Sequence, residues 1–517
     1  MKKFILATLL LVGATLASCD MDKTPANKLD DKTSIQSMND CLRLRNYAYN
    51  SLRSISCGSY ISIPEMQADQ FIGVITNGNR MGTIANGEIN SGDGDLGSIF
   101  AALYSYIANS NYALEKIQEF LDNNAQTLSN TDQATLNQYL GEVHFARAYA
   151  YFYLLDHFCD SYTNVGGSAF GVPIVTVYNP HGDTSKYPGR STQDETYKLI
   201  EDDLATALTA LQEAEGLGKV VPAANSYYLS SWAVKAMQAR VALVKGDYQT
   251  AFNKADEVIK NTGTGEGDGI YALASIANYP TMWSSDASSE IIMRGFMKND
   301  ELGSSLGGAW QNINTICDYI PTADALMLLD SSDFYDTRFD SFFNVVSVPV
   351  EGTNILCYAF NKFPGNEELR TGSTNNFMNM PKVFRLSEMY LIAAEAGPQC
   401  GDNAKAAKAA KYLNDLCDNR YEDYQTQSWT DVVAAARKER TKELMGEGFR
   451  ISDLRRWKQG FKRNGSYDDI NPQMTSALVA AGKNVVYQPD DYRYTWPIPS
   501  DEIVNNPQLK GQQNPGY

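Results

Sequence analysis

The chain runs to 517 residues, with 44 basic against 61 acidic side chains and a formal net charge of −17. A field of that sign repels a phosphate backbone, which excludes nucleic acid as a partner. The length allows a large buried core and bounds the number of domains only softly.

In chain order, the first feature is an export signal. Lys2 and Lys3 precede an apolar run from Phe4 to Val12, interrupted only by Thr8, and small residues lead on to Leu16-Ala17-Ser18-Cys19. This is a charged region, a short apolar region and a small-residue cleavage site. The run falls well below the roughly twenty apolar residues that span a bilayer. Leu-Ala-Ser-Cys resembles a bacterial lipobox, which implies residues 1–18 as a cleaved signal peptide and Cys19 as the lipidated first residue of the mature chain. Acyl chains contribute about 0.8 kcal/mol per buried CH₂, so they hold a soluble body to a membrane with no spanning helix. Loss of Lys2 and Lys3 takes the net charge to −19. Asp20 and Asp22 resemble the acidic stretch with which some Gram-negative bacteria send lipoproteins to the cell surface. Beyond Cys19, seven cysteines are scattered from Cys41 to Cys417 without CxxC spacing, which points to buried free thiols rather than a zinc site or a disulfide framework.

Residues 19–517 read as one domain: a helical scaffold over about 30–260 and 381–460, with loop-rich insertions over about 58–95 and 261–380. Helices are predicted near 32–54, 96–121, 133–158 and 194–211. The stretch ending at Phe158 is apolar on nearly every face, as a helix buried among others should be. From Ser231, small and apolar residues at three- and four-residue steps run to a Gly246-Asp247-Tyr248 turn, and Ala251, Ala255 and Val258 follow. This resembles a tetratricopeptide hairpin. A second copy leads from Leu386, Met389 and Ala393 through Gly401-Asp402 to Ala404, Ala407 and Leu413. The predicted fold class is therefore all-α, a tetratricopeptide-like helical repeat in which each hairpin buries its apolar face on a neighbour. The insertions are rich in Gly, Asn, Ser and Asp, with strand-like pieces over 290–296 and 342–350. Loops of such length are usually functional.

Catalytic signals are present but thin. Glu439, Glu443 and Glu447 stand four apart, so a continuous helix would carry three carboxylates on one face, and a glycosidase needs two close carboxyl groups, one of them protonated. Arg437, Arg440 and Arg450 are interleaved, and guanidinium charge keeps carboxylates ionised, which favours a structural ion network. Gly303-Ser304-Ser305-Leu306-Gly307 fits a nucleophile elbow but lies in a Gly/Ser-rich loop rather than between a strand and a helix. The histidines His144, His157 and His181 complete no triad around it. Gly92-Asp93-Gly94-Asp95-Leu96-Gly97 fits a dinucleotide glycine pattern, yet its aspartates would repel a pyrophosphate. No cofactor or metal is expected. Clusters such as Glu266-Gly267-Asp268-Gly269 carry the oxygen ligands that calcium takes, and a solvated turn is the preferred reading.

Toward the carboxyl end the chain resembles the SusD/RagB family. The resemblance rests on the run from Arg437 to Trp457 (Arg-Lys-Glu-Arg-Thr-Lys-Glu-Leu-Met-Gly-Glu-Gly-Phe-Arg-Ile-Ser-Asp-Leu-Arg-Arg-Trp) and the run from Arg385 to Ala396. It extends to Pro497-Ile498-Pro499, Glu502-Ile503 and Asn514-Pro515-Gly516-Tyr517, and to Asn111 before Leu114-Glu115-Lys116-Ile117. It implies a loop-built binding face on the helical scaffold, lipid anchoring at the outer membrane facing the exterior, and a lidding role over a SusC-like TonB-dependent porin. An oligosaccharide or polysaccharide is the implied ligand, with peptide capture within the same family and a glycoside hydrolase as the alternatives. No catalytic residue is assigned. By the same resemblance, the aromatic platform falls to Trp310 first, then Trp283 and Tyr319, with Tyr279 and Arg294 nearby. Asp69, Asn77, Asn79 and Arg80 come from the other contributing loop. Trp457 and Trp496, inside signature segments, are expected in the core. The chain contains 31 tyrosines, 20 phenylalanines and 6 tryptophans, and flat rings with a polar edge suit partly wet sugar-binding surfaces.

Overall fold

A computed structural model describes residues 35–74, 81–179, 183–261, 269–311, 317–330, 333–350, 352–463 and 485–517. Cys19 and the signal segment lie outside them, as do Asn77, Asn79, Arg80, His181 and Glu266 to Asp268.

The amino-terminal half is built from α1 (Met38–Ile55), α2 (Ser59–Gln67), β1 (Phe71–Gly73), α3 (Gly94–Asn124), α4 (Asn130–Phe158) and α5 (Gln193–Gly216). Side chains set where these helices begin. Asp93, in the glycine-rich stretch, accepts the N–H groups of Asp95 and Leu96 and starts α3. Ser129 starts α4, and Thr192 with Glu195 forms a capping box on α5. The apolar α4 is central, packed against α1, α3 and α5.

The repeat hairpins follow. Helix α6 (Ser231–Lys245) ends at Gly246, whose φ of 83° is the left-handed turn that only glycine adopts freely, and Asp247 caps α7 (Tyr248–Lys260). The same chemistry recurs where Gly401, with φ 68°, and Asp402 lead into a later helix.

Between the hairpins lie α8 (Tyr279–Ser285), β2 (Ile291–Arg294), β3 (Tyr319–Pro321), α9 (Ala323–Asp330), β4 (Phe343–Val350), β5 (Thr353–Phe360) and β6 (Lys382–Arg385). The second hairpin is α10 (Leu386–Ala396) with α11 (Asn403–Asp418). After it come α12 (Val432–Glu443), α13 (Arg450–Arg456), β7 (Phe461–Lys462) and β8 (Val486–Tyr487). Helix α10 packs on α7, α11 and α12.

Among the described residues, the strands form only two-stranded antiparallel ribbons: β1–β3, β2–β6, β4–β5 and β7–β8. The fold is thus all-α, with small ribbons in the insertions. Ribbon β1–β3 pairs Phe71 with Pro321 and Gly73 with Tyr319, so it ties the two loop-rich segments to each other. Beneath them lies a second core, separate from that of the helices, containing Phe71, Trp283, Trp310, Tyr319, Phe342 and Phe360. No helix among the described residues is long and apolar enough to cross a membrane.

Candidate functional site

The three signature carboxylates do not share one helix face. Helix α12 ends at Glu443, and Gly446 and Gly448, with φ of 79° and 89°, turn the chain so that Glu447 lies beyond the helix. Each carboxylate meets cations distant in sequence. Glu443 accepts from Arg385 Nη1 at 2.8 Å, Arg420 Nε at 2.9 Å and Arg338 Nη1 at 3.3 Å. Glu439 accepts from Arg338 at 2.8 Å, and Glu447 accepts from both Lys362 and Arg385 at 2.6 Å. Glu290 joins through Arg385 and Arg420, at 2.8 Å each. Burial alone would raise the Glu443 carboxyl, but the guanidiniums of Arg420 and Arg385 outweigh it and hold the group well below the usual carboxylate range. The residues form an ion network, as expected, but not with the interleaved arginines. Arg437, Arg440 and Arg450 pair instead with Glu395, Asp453 and Asp69. An enclosed, ionised carboxylate has no proton to give a glycosidic oxygen, so this cluster is built to bind the loop segments to α10 and α12.

The other catalytic candidates are similarly occupied. Burial pushes Glu65 up to about 7, but its side chain is fully enclosed and accepts the N–H groups of Gly446 and Gly448. Ser305 Oγ donates to the carbonyl of Phe377 at 2.7 Å and accepts from Gly308 N–H at 3.0 Å. His144 lies against Asp203 at 2.6 Å, between α4 and α5, and burial pushes His157 down to about 4.

The structure corrects the expected aromatic platform. Trp310 is 0% exposed, Tyr279 0%, Trp283 1% and Tyr319 1%, and stacking requires an open ring face. Short ribbons have no apolar layer of their own, so these large rings fill the space beneath them. Trp310 is packed by Phe360 and Phe71, with ring centres 4.9 and 5.2 Å away. Tyr279 donates to Glu443 and lies under Arg420, whose guanidinium carbon is 4.2 Å from the ring centre. Arg294 does not reach outward either: it donates to Tyr227 Oη at 2.9 Å and to the carbonyl of Asn225, and so fixes Tyr227. Asp69 is held by Arg450 through two bonds of 2.8 and 2.7 Å. Trp496 is core, whereas Trp457 is only half-buried.

Open aromatic surface occurs instead in a groove of about 290 Å³ between α1, residues 225–228 and the exit of β2. Tyr228 is 57% exposed and Phe296 39%. Tyr49 meets Tyr228 edge-on at 5.6 Å, and Tyr227 meets Phe296 edge-on at 5.1 Å, giving two aromatic walls. Helical spacing places Arg45, Tyr49 and Arg53 in one stripe, with Asn46 and Asn50 beside it. Arg45 donates to Asn46 Oδ1 at 3.1 Å and Arg53 to Asn50 Oδ1 at 2.6 Å. Each arginine thereby fixes an exposed amide with its oxygen inward and its N–H₂ free to donate. Both arginines are paired, with Glu142 and Glu301, so the groove has little net charge. Apolar walls with a few oriented polar groups are the composition of a small-molecule site. Sequence reasoning missed these residues, although the Tyr227-Tyr228 doublet and the i, i+4 amides of α1 carried the signal.

Two family models match the chain: one described as SusD family over residues 349–517, the other as starch-binding associating with outer membrane over residues 21–243. The chain belongs to the SusD/RagB family. A solved SusD superfamily protein from Bacteroides thetaiotaomicron is 27% identical, with a TM-score of 0.75 over 93% of this chain and 100% of that one. A SusD-like protein of Formosa agariphila is 24% identical over 80% of this chain and 78% of its own length. A laminarin-binding SusD-like protein, 20% identical, has a TM-score of 0.65 over 93% of this chain and 100% of its own, a likeness of fold. The ends that carry the SusD matches hold most of the ion network and, in the groove, α1 with Tyr227 and Tyr228. The unmatched segment between them carries Phe296 of the groove, together with Glu290 and Arg338 of the network.

Proposed function

We propose that this SusD-family chain is a lipid-anchored outer-membrane protein that captures a glycan without cleaving it and passes it to a SusC-like TonB-dependent porin. The observation that carries the reading is the pair of open rings, Tyr228 and Phe296, beside two amides whose free N–H₂ groups suit sugar hydroxyls. The small net charge of the groove fits a neutral sugar. The starch-binding description of the matched family model and the laminarin-binding relative support a glycan over a peptide. Asn77, Asn79 and Arg80, which follow β1 in the sequence, are assigned as further contacts, and Cys19 as the lipid attachment point. Family membership supports the transporter partner.

Calorimetry of the mature chain without Cys19, residues 20–517, against neutral glycans and peptides tests this reading. Binding of at least one glycan, with no reducing ends released, is expected. Binding of peptides alone would assign the chain to peptide capture, and release of reducing ends would make it an enzyme.

A further inference from the structure

A second cleft, of about 450 Å³, lies between α9, α12, α13 and the approach to β1, and shares no lining residue with the aromatic groove. Its floor is Trp457, half-buried, whose indole Nε1 donates to Glu395 at 2.8 Å and is thereby fixed. Gln70 is 3% exposed: its Nε2 donates to the carbonyl of Thr441 at 3.0 Å, while its Oε1 is enclosed without a partner. A buried acceptor left unsatisfied costs about 1–3 kcal/mol, so such a group marks a place where a donor is due.

The charges around this acceptor are unevenly satisfied. Asp69 is occupied by Arg450 through two bonds, and Asp431 accepts the Ala434 N–H as the cap of α12. Asp324 stands exposed on the rim. Arg437, in the lining of the cleft, pairs through Nε with Glu395, its guanidinium carbon lies 5.2 Å from the Trp457 ring centre, and its side chain is 30% exposed. Lys438 is exposed and has no ion pair among the described residues. The cleft therefore presents two cations with donors to spare, one buried acceptor and one fixed ring.

We propose that this cleft is a second saccharide site, selective for a sugar that bears a carboxylate, such as a hexuronic acid residue. The carboxylate is held by Arg437 and Lys438 as charge-assisted hydrogen bonds, a ring hydroxyl donates to Gln70 Oε1, and the sugar packs against the exposed part of Trp457, around whose ring the guanidiniums of Arg437, Arg450 and Arg456 already lie. The site stands independently of the aromatic groove.

The test is calorimetry of residues 20–517 with trimers of galacturonate, mannuronate and glucuronate, against maltotriose and cellotriose. Lys438→Gln is the principal variant, because that side chain is exposed, and Arg437→Gln/Lys438→Gln is the second. At least one uronate trimer is expected to bind, to lose about tenfold in affinity with Lys438→Gln, and to weaken as salt rises. Binding by none of the three trimers, or binding unchanged in the double variant, overturns the proposal. So does equal affinity for a glutamate-rich peptide. Tyr228→Ala/Phe296→Ala should leave uronate binding intact. Its loss there would place the acidic sugar in the groove, removing the cleft proposal while leaving the groove reading in force.

Discussion

Glu395 is a fully buried carboxylate that accepts from Arg437, Arg456 and the Trp457 indole. Burial would raise its pKa, but the Arg456 guanidinium overrides that and holds it down at about 2. A carboxylate depressed in the folded state contributes stability above its unfolded pKa, near 4.5, and loses that contribution as pH falls through the folded value. Glu395→Gln should therefore destabilise at pH 7 by about 3 kcal/mol, with the gap to the parent narrowing between about pH 4.5 and pH 2. Thermal melts across that range check it, and a gap independent of pH would contradict the assignment. Residue identities were only partly legible in the sequence. The spacing of Glu439, Glu443 and Glu447 beside arginines announced an ion network. The partners Arg338, Arg385 and Arg420 are fixed by tertiary packing, which no local pattern encodes. In the same way, residue type marks Trp310 as able to stack but does not say whether its face is open.

Among the elements, the two repeat hairpins were readable because a glycine in the left-handed region followed by a capping aspartate is local chemistry, at Gly246-Asp247 and at Gly401-Asp402. The ribbons were less so: β1, β2, β3 and β6 are three or four residues long, too short for alternation to stand out from a loop. Helix packing supplies a sharper test at Gly141, where α4 crosses α5. A Cβ there would lie 2.5 Å from the Ala210 Cβ. Helix propensity alone predicts that Gly141→Ala stabilises by roughly 0.5–1 kcal/mol. The clash should outweigh this and destabilise by about 1–3 kcal/mol, with Gly141→Ala/Ala210→Gly recovering part of the loss. A raised melting temperature for Gly141→Ala would show that the two helices are not held so closely.

At the scale of the whole molecule, a helical scaffold and a loop-built layer each have a core, and the buried network around Glu443 and Glu290 joins them through α10, α12 and β6. That division separates two kinds of aromatic residue. Trp310 belongs to the layer's interior and should act on stability, since large-to-small changes of buried tryptophan cost about 3–5 kcal/mol. Tyr228 and Phe296 stand on its surface and should act on ligand. The most direct measurement is a side-by-side calorimetric titration of the parent protein and Tyr228→Ala/Phe296→Ala with a neutral glycan that the parent binds. The groove account predicts an unchanged melting temperature and an affinity lower by at least tenfold, about 1.4 kcal/mol. Full affinity in that variant would contradict it.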